Sequence, residues 1–447
     1  MTLYNSRPMR VYFSNLGCKL NQAELERLAR QFHAAGFSIV GELADAQLHI
    51  VNSCTVTHLA ARDSRKTARR GHRLNPELRT VLTGCYVDGD PQEAASLAGV
   101  DLVVPNQDKE ALLDHVREAF PHLVPTSTEA HRLPVPYVPI EFGNSRTLVK
   151  IEDGCDMPCA FCIIPKTRGS QRSRPFDSVV QEVADLSAGG FGEIVITGVQ
   201  ISSYRWGEKR LFDLVGQLLP CLDHSRIRLT SIAPWQFDRR LLDLFQDSRL
   251  CRHLHFSLQS GCTETLKRMR RPYSASDFEA LVHEVKREIP GVAVTTDVIV
   301  GFPGETEEQF EESLRFVENL ELARIHAFPF SSRPGTEAAS LLDPIPHPIK
   351  RLRMSQMLEL ADRAADSFAA RHLGSEVEVL WESYRDGIWY GTSDNYIRVH
   401  KESTEPLAHQ LHRERLLEAS DRGVRCQPVL LDAIPRRSSS ETPTLST

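Results

Sequence analysis

Three cysteines stand within eight residues of one another: Cys155, Cys159 and Cys162, in GCDMPCAFC. Three thiols cannot all pair among themselves, so a disulfide reading leaves one over. As thiolates they can wrap one compact metal centre. An iron–sulfur cluster with four irons takes four ligands, so three cysteines leave one iron open to a substrate or cofactor. A structural zinc site closes its coordination with a fourth Cys or His nearby, but His131 is far upstream and the next cysteine is Cys221. A strand-like run at 147–151 precedes the segment. That puts the loop at the carboxyl end of a strand, the side on which barrels of strands and helices collect ligands.

A second set is dispersed but regular. Cys18, Cys54 and Cys85 end the stretches FSNLGC, HIVNSC and VLTGC, each just past a strand-like run. Carboxyl ends of neighbouring parallel strands lie side by side, with ligands in the crevice outside them. Three cysteines at equivalent edges can therefore converge on one point. Gly17 and Gly84 leave backbone room there. Three independent core thiols is the alternative. Cys221, Cys251, Cys262 and Cys426 follow no such pattern and are read as structural.

The elements that must position these residues divide the chain. Residues 8–120 alternate strands (11–13, 48–51, 80–82) with helices (24–35, 60–74), the signature of a parallel-sheet α/β domain. Five prolines between 121 and 146 mark a linker. From 147 to 371 six strand-like runs, at 147–151, 193–197, 226–231, 254–258, 293–300 and 324–328, are separated mostly by one amphipathic helix each. That predicts a partial (β/α)6 barrel. A helix near 350–370 leads into a β-rich segment, 372–435, and residues 436–447 read as a disordered tail.

The 447 residues are 41% hydrophobic and 25% charged, ordinary for globular domains. No run approaches the roughly 20 apolar residues of a membrane span, and MTLYNSRPMRVYF lacks a signal core. A cytoplasmic protein without membrane partners is expected. In that reducing setting clustered cysteines point to metal or redox use.

A net charge of −6 argues against a chain coated in nucleic acid, but basic stripes are present. Arg62, Arg65, Lys66, Arg69, Arg70 and Arg73 recur at helical spacing. Lys166, Arg168, Arg172 and Arg174 form another group, and Lys267, Arg268, Arg270 and Arg271 a third. Each could be only a solvated face; together they suggest a track for RNA phosphates. In 372–435 acids outnumber bases. Any RNA contact there would be local, through Trp389, Tyr390 or Tyr396, unless these simply fill a small core.

CxxxCxxC after the first of six barrel strands resembles the radical S-adenosylmethionine superfamily. The whole chain, about 8–434, resembles its methylthiotransferase branch, through TGVQISSY, SLQSG, RMRRPYS, TDVIVGFPGETEEQF and FSSRPGTEA. Those proteins carry an N-terminal three-cysteine domain, a radical barrel and a small C-terminal β-barrel called TRAM. The resemblance implies two [4Fe-4S] clusters, one on Cys155, Cys159 and Cys162 that chelates S-adenosyl-L-methionine, the other on Cys18, Cys54 and Cys85 that supplies or carries sulfur. Phe161, between Cys159 and Cys162, could pack on the cofactor's adenine or simply fill core, and Gly198, Ser257, Gln259 and Asp297 are the other candidate cofactor contacts. The resemblance further implies a tRNA substrate, for which the basic runs offer Arg62, Lys66, Arg69, Arg73, Arg270 and Arg271, and a one-electron reductant such as flavodoxin or ferredoxin.

GCKLN and CTVT look like the subgroup acting on N6-threonylcarbamoyladenosine of tRNA, next to the anticodon. GCYVDGD departs from it, since that subgroup more often has Ala-Gln after GCY. Siblings act on isopentenyladenosine in tRNA or on a ribosomal-protein aspartate. An RNA-binding protein with structural zinc, and no catalysis, is the alternative of a different class.

Overall fold

The computed structural model describes residues 9–123, 125, 145–342 and 345–429. The N-terminal sheet has five strands, all parallel. Ser38–Ile39 lies at one edge, followed by Arg10–Asn15, Leu48–Ser53, Arg79–Gly84 and Leu102–Val104. The two edge strands, only two and three residues long, are too short to show a periodicity and were not anticipated. The helix Lys19–Ala34 covers one face because Leu25, Leu28, Ala29 and Phe32 recur on one stripe and pack on Val11, Ile50 and Val81. The helix His58–Leu74, capped by the Thr57 side chain, presents only small residues to the sheet, Ala61, Ser64, Ala68 and Gly71. Its long cationic side chains are left for solvent.

The central domain is the expected six-stranded partial barrel. Arg226–Leu229, Glu193–Thr197 and Arg146–Lys150 form one parallel sheet; His253–Gln259, Ala293–Val300 and Arg324–Pro329 form the other. Single parallel bridges, Ile227 to Leu250 and Ile232 to Phe256, join them. Among the described residues the last strand does not pair with the first, so the barrel is open. Its core is one continuous cluster of Val, Leu, Ile and Phe.

The helix His347–Arg371 leads to a closed five-stranded barrel, in the order Glu376–Arg385, Ile388–Ser393, Arg398–Glu402, Gly423–Pro428, Leu411–Ser420. Trp381 and Trp389 are core residues there, which settles the sequence alternative for Trp389 in favour of packing. Of the expected linker, Pro121–Leu123 is a turn of 3-10 helix and 126–144 lie outside the described residues, as does the expected tail.

The domains are joined by polar contacts of the buried kind. Glu26 accepts from the Thr147 hydroxyl at 3.2 Å and from the Leu148 amide at 3.1 Å, tying the first helix to the first barrel strand. Arg226 and Arg228, fully buried, donate to the carbonyls of Glu378, Thr392, Ser393 and Asp394 in the C-terminal barrel. Both guanidiniums pair with the single carboxylate of Glu193, and Arg226 also with Glu378 at 3.6 Å.

Candidate functional site: two cysteine triads on adjoining cavities

The strand ends are in register: Asn15 pairs with Asn52, and Ser53 with Gly84. Cys54 and Cys85 each follow directly, and Cys18 follows after a short turn held by Leu16 donating to the Asn52 carbonyl at 3.1 Å. Gly17 and Gly84 have φ near +98° and +100°, a conformation other residues avoid. A Cβ at Gly17 would lie 2.6 Å from Cys54 Sγ, and one at Gly84 2.4 Å from the Ser53 carbonyl oxygen. The glycines are what let the three thiols gather. Asn21 fastens the turn by donating to the carbonyls of Leu16 (2.7 Å) and Ser53 (2.9 Å).

All three thiols open on a cavity of about 450 Å³ whose far wall is the barrel mouth, including Thr197, Ser231, Asp297 and His326. A neighbouring cavity of about 210 Å³ holds Cys155, Cys159 and Cys162. Ile164, Val199, Ser231, His255 and Asp297 line both, so the two cysteine sets face each other across a shared wall. Among the described residues no group of three His, Cys, Asp or Glu suits one metal ion. Zinc, with Zn–S near 2.3 Å, would need its thiolates almost in contact. Three thiols on each cavity wall are the donor type that an iron–sulfur cluster takes at its corners, so the residues present fit such a group.

Charge beside the thiols suits thiolates. Arg271 points a guanidinium N–H at Cys159 Sγ (3.3 Å), donates to Ser257 and stacks on Trp235 with 4.5 Å between its carbon and the ring centre. Arg168 donates to Cys85 Sγ at 3.2 Å and to Glu24 and Asp153 at 2.8 Å. Glu24 also receives Lys109 and Lys150. These cations hold its carboxyl well below the usual range despite complete burial. Arg168 stands six positions after Cys162 in the chain, yet its side chain touches the other cysteine set.

The expected residues sort as follows. Phe161, Ser257, Gln259 and Asp297 line the cavity of Cys155, Cys159 and Cys162. Gly198 lines the larger one, and its Cα packs so closely on Glu152 that a Cβ would lie 2.9 Å from the carboxylate. Arg62, Lys66, Arg69 and Arg73 are exposed along one helix face, with only Asp63 paired to Arg62. Arg270 is exposed and paired with Glu337 at 2.8 Å.

Two basic assignments need correction. Arg271 is turned into the cysteine cavity, where its guanidinium donates to Cys159 Sγ and Ser257 and stacks on Trp235. Arg168 is 1% exposed within its ion-pair network. Neither is free to meet RNA phosphate. Sequence reasoning missed His255, His326, Trp235 and Tyr396 as lining residues. His255 and His326 stand singly on strands, Trp235 in a short 3-10 helix and Tyr396 in a turn, so none carries a spacing signal, and their convergence is a property of the packed domains.

Residues 149–317 match the radical SAM superfamily, and residues 10–105 match the uncharacterized protein family UPF0004. The chain is 34% identical to the threonylcarbamoyladenosine tRNA methylthiotransferase MtaB of Bacillus subtilis (strain 168), over 92% of this chain and 94% of that protein. It is 34% identical to the enzyme of the same name from Thermotoga maritima, over 93% and 96%. The tRNA-2-methylthio-N(6)-dimethylallyladenosine synthase of Anoxybacillus flavithermus is 33% identical over 83% of this chain and 73% of that one. Among solved structures, the radical S-adenosylmethionine methyltransferase TsrM of Kitasatospora setae, with cobalamin and a [4Fe-4S] cluster bound, superposes with a TM-score of 0.56 at 16% identity. It covers 74% of this chain and 77% of that one, a likeness of fold. Identity sustained across nearly the whole length, over a barrel with its three-cysteine loop, places the chain in the radical S-adenosylmethionine tRNA methylthiotransferase family.

Proposed function

We propose that this protein replaces the C2 hydrogen of N6-threonylcarbamoyladenosine, next to the anticodon of tRNA, with a methylthio group. The observation that carries the reading is the pair of cysteine triads facing adjoining cavities with a common wall. Converting an unactivated C–H into C–SCH₃ needs a radical source beside a sulfur source. A [4Fe-4S] cluster and S-adenosyl-L-methionine, which membership of the superfamily implies, supply the radical chemistry when bound.

Cys155, Cys159 and Cys162 would hold that cluster, and Cys18, Cys54 and Cys85 a second one beside which sulfur is delivered. Arg271 and Arg168 offset the negative charge gathered at each set. Phe161, Ser257, Gln259 and Asp297 shape the smaller cavity around the cofactor, and the barrel mouth screens it from water. The exposed stripe of Arg62, Lys66, Arg69 and Arg73 tracks the tRNA backbone. A small one-electron reductant such as flavodoxin or ferredoxin completes the system, in the cytoplasm. No described helix is long and apolar enough to cross a membrane.

The 33% identity to a dimethylallyladenosine enzyme defines the competing reading. Mass spectrometry of tRNA nucleosides from a strain lacking the gene tests both. Loss of the methylthio form of threonylcarbamoyladenosine, restored by the wild-type gene, is expected. Loss of the methylthio isoprenoid adenosine instead would overturn the substrate.

A further inference from the structure

The larger cavity has two cations beside it that no ion pair holds among the described residues. Lys19 follows Cys18 and lies on its wall. Arg324 opens the last barrel strand, two and four residues before His326 and Phe328, which line the cavity. Alternation along a strand puts all three on the lumen face. Neither Lys19 nor Arg324 makes an ion pair or side-chain hydrogen bond among the described residues. Asp297 is the one carboxylate among the lining residues, and it is taken up by His255 at 3.2 Å.

The third component arrives from another domain. Tyr396 sits in a turn of the C-terminal barrel with φ near +66°, a backbone state aromatic residues seldom enter. The turn is clamped by Arg228 to the Ser393 and Asp394 carbonyls and by Arg252 to the Asp394 carboxylate at 2.6 Å. Held so, the Tyr396 ring stacks on His253 with 4.4 Å between centroids. The Arg324 guanidinium lies 5.6 Å and the Lys19 ammonium 6.0 Å from its centre. Its hydroxyl has no partner among the described residues. Strain kept in place by surrounding contacts is a mark of use.

Two uncompensated cations and a free phenol fit an anion that accepts several hydrogen bonds, and they fit an isoprenoid chain poorly. We propose that Lys19, Arg324 and Tyr396 form the subsite that binds the carboxylate of the threonylcarbamoyl group and thereby select this adenosine over its isoprenoid counterpart. The inference rests on the reading under Proposed function. A base presented between the two triads carries its N6 substituent into this same cavity, whereas an RNA phosphate, the other source of an anion, stays with the backbone nearer solvent.

The test uses reconstituted enzyme and anticodon stem-loops bearing threonylcarbamoyladenosine, its carboxylate methyl ester, or dimethylallyladenosine. Wild type should lose about tenfold or more in kcat/KM on the ester, the usual scale for a charged hydrogen bond. Arg324→Gln should lose about as much on the acid and no longer distinguish acid from ester, with Arg324→Lys recovering part. A wild-type acid-to-ester ratio near one overturns the subsite, and so does an unaltered ratio in Arg324→Gln. Equal loss on all three stem-loops would assign the arginine to backbone phosphate or to folding, also against the proposal. If Arg324→Gln fails to retain iron or to melt cooperatively, the wild-type ratio still decides. Wild type acting only on dimethylallyladenosine would instead overturn the underlying substrate reading.

Discussion

Burial pushes the Cys162 thiol up to about 12 and the Cys54 thiol up to about 11, so at neutral pH both are protonated unless a metal claims them. Ligand binding must therefore release protons. Replacing Cys155, Cys159 and Cys162 with alanine is expected to leave the fold intact and abolish reductive cleavage of S-adenosylmethionine. The Cys18, Cys54 and Cys85 triple variant should lose roughly half the iron and transfer no sulfur, yet still cleave the cofactor slowly. Iron content and deoxyadenosine formation check both; unchanged iron in the second variant would return those thiols to the core. Glu152 offers a separate reading of local electrostatics. Desolvation raises its carboxyl from 4.5 to about 8, and only one oxygen is satisfied, by the Gln200 amide at 2.8 Å. The folded state then holds a proton that the unfolded chain gives up, so this group's contribution to stability falls as pH rises from 4.5 to about 8 and levels off above. Glu152→Gln should remove that decline. A stability difference between variant and wild type that stays constant across this range would refute it.

At the scale of elements, the helix His58–Leu74 pairs a small-residue buried face with an outward cationic stripe. Phosphate contacts of this kind position RNA without reading its sequence. Changing Arg62, Lys66, Arg69 and Arg73 together to glutamine should weaken tRNA binding and flatten its dependence on salt, each lost phosphate contact lowering the log–log slope by about 0.7–0.9. Cluster content should not change, because the side chains point away from the strand ends. Affinity titrations at several salt concentrations decide it, and an unaltered slope would make the stripe a solvated face.

Across the whole molecule, Glu193 is the joint. It is fully buried, and Arg228, Arg146 and Arg226 hold its carboxyl far below the ordinary range. Through the two inner arginines it fixes the C-terminal barrel, and with it the turn carrying Tyr396. Glu193→Gln leaves Arg228 without its counter-charge and Arg226 with only Glu378 at 3.6 Å, a loss of roughly 3–5 kcal/mol. Urea unfolding should show a lowered midpoint, and protease should cut sooner between the central and C-terminal barrels. Full stability in this variant would mean that the docking does not depend on the charge network.

The sequence by itself determined the cysteine loop and the six barrel strands. It also determined the glycine-assisted convergence of Cys18, Cys54 and Cys85, because strand ends, short spacings and glycines are local signals that one-dimensional patterns carry. It grouped Arg168 and Arg271 with basic runs for RNA phosphate and left Tyr396 between RNA stacking and small-barrel core, since each acts on a partner from a distant part of the chain. Arg168 reads as one member of a basic run until the N-terminal sheet is set against the barrel; then it is buried between Glu24 and Cys85. Tyr396 reads as a small-barrel aromatic until Arg228 and Arg252 pull its turn onto the barrel mouth. Desolvation and pairing of charges across domains depend on what lies within a few ångströms in space, and that is set only when the domains pack.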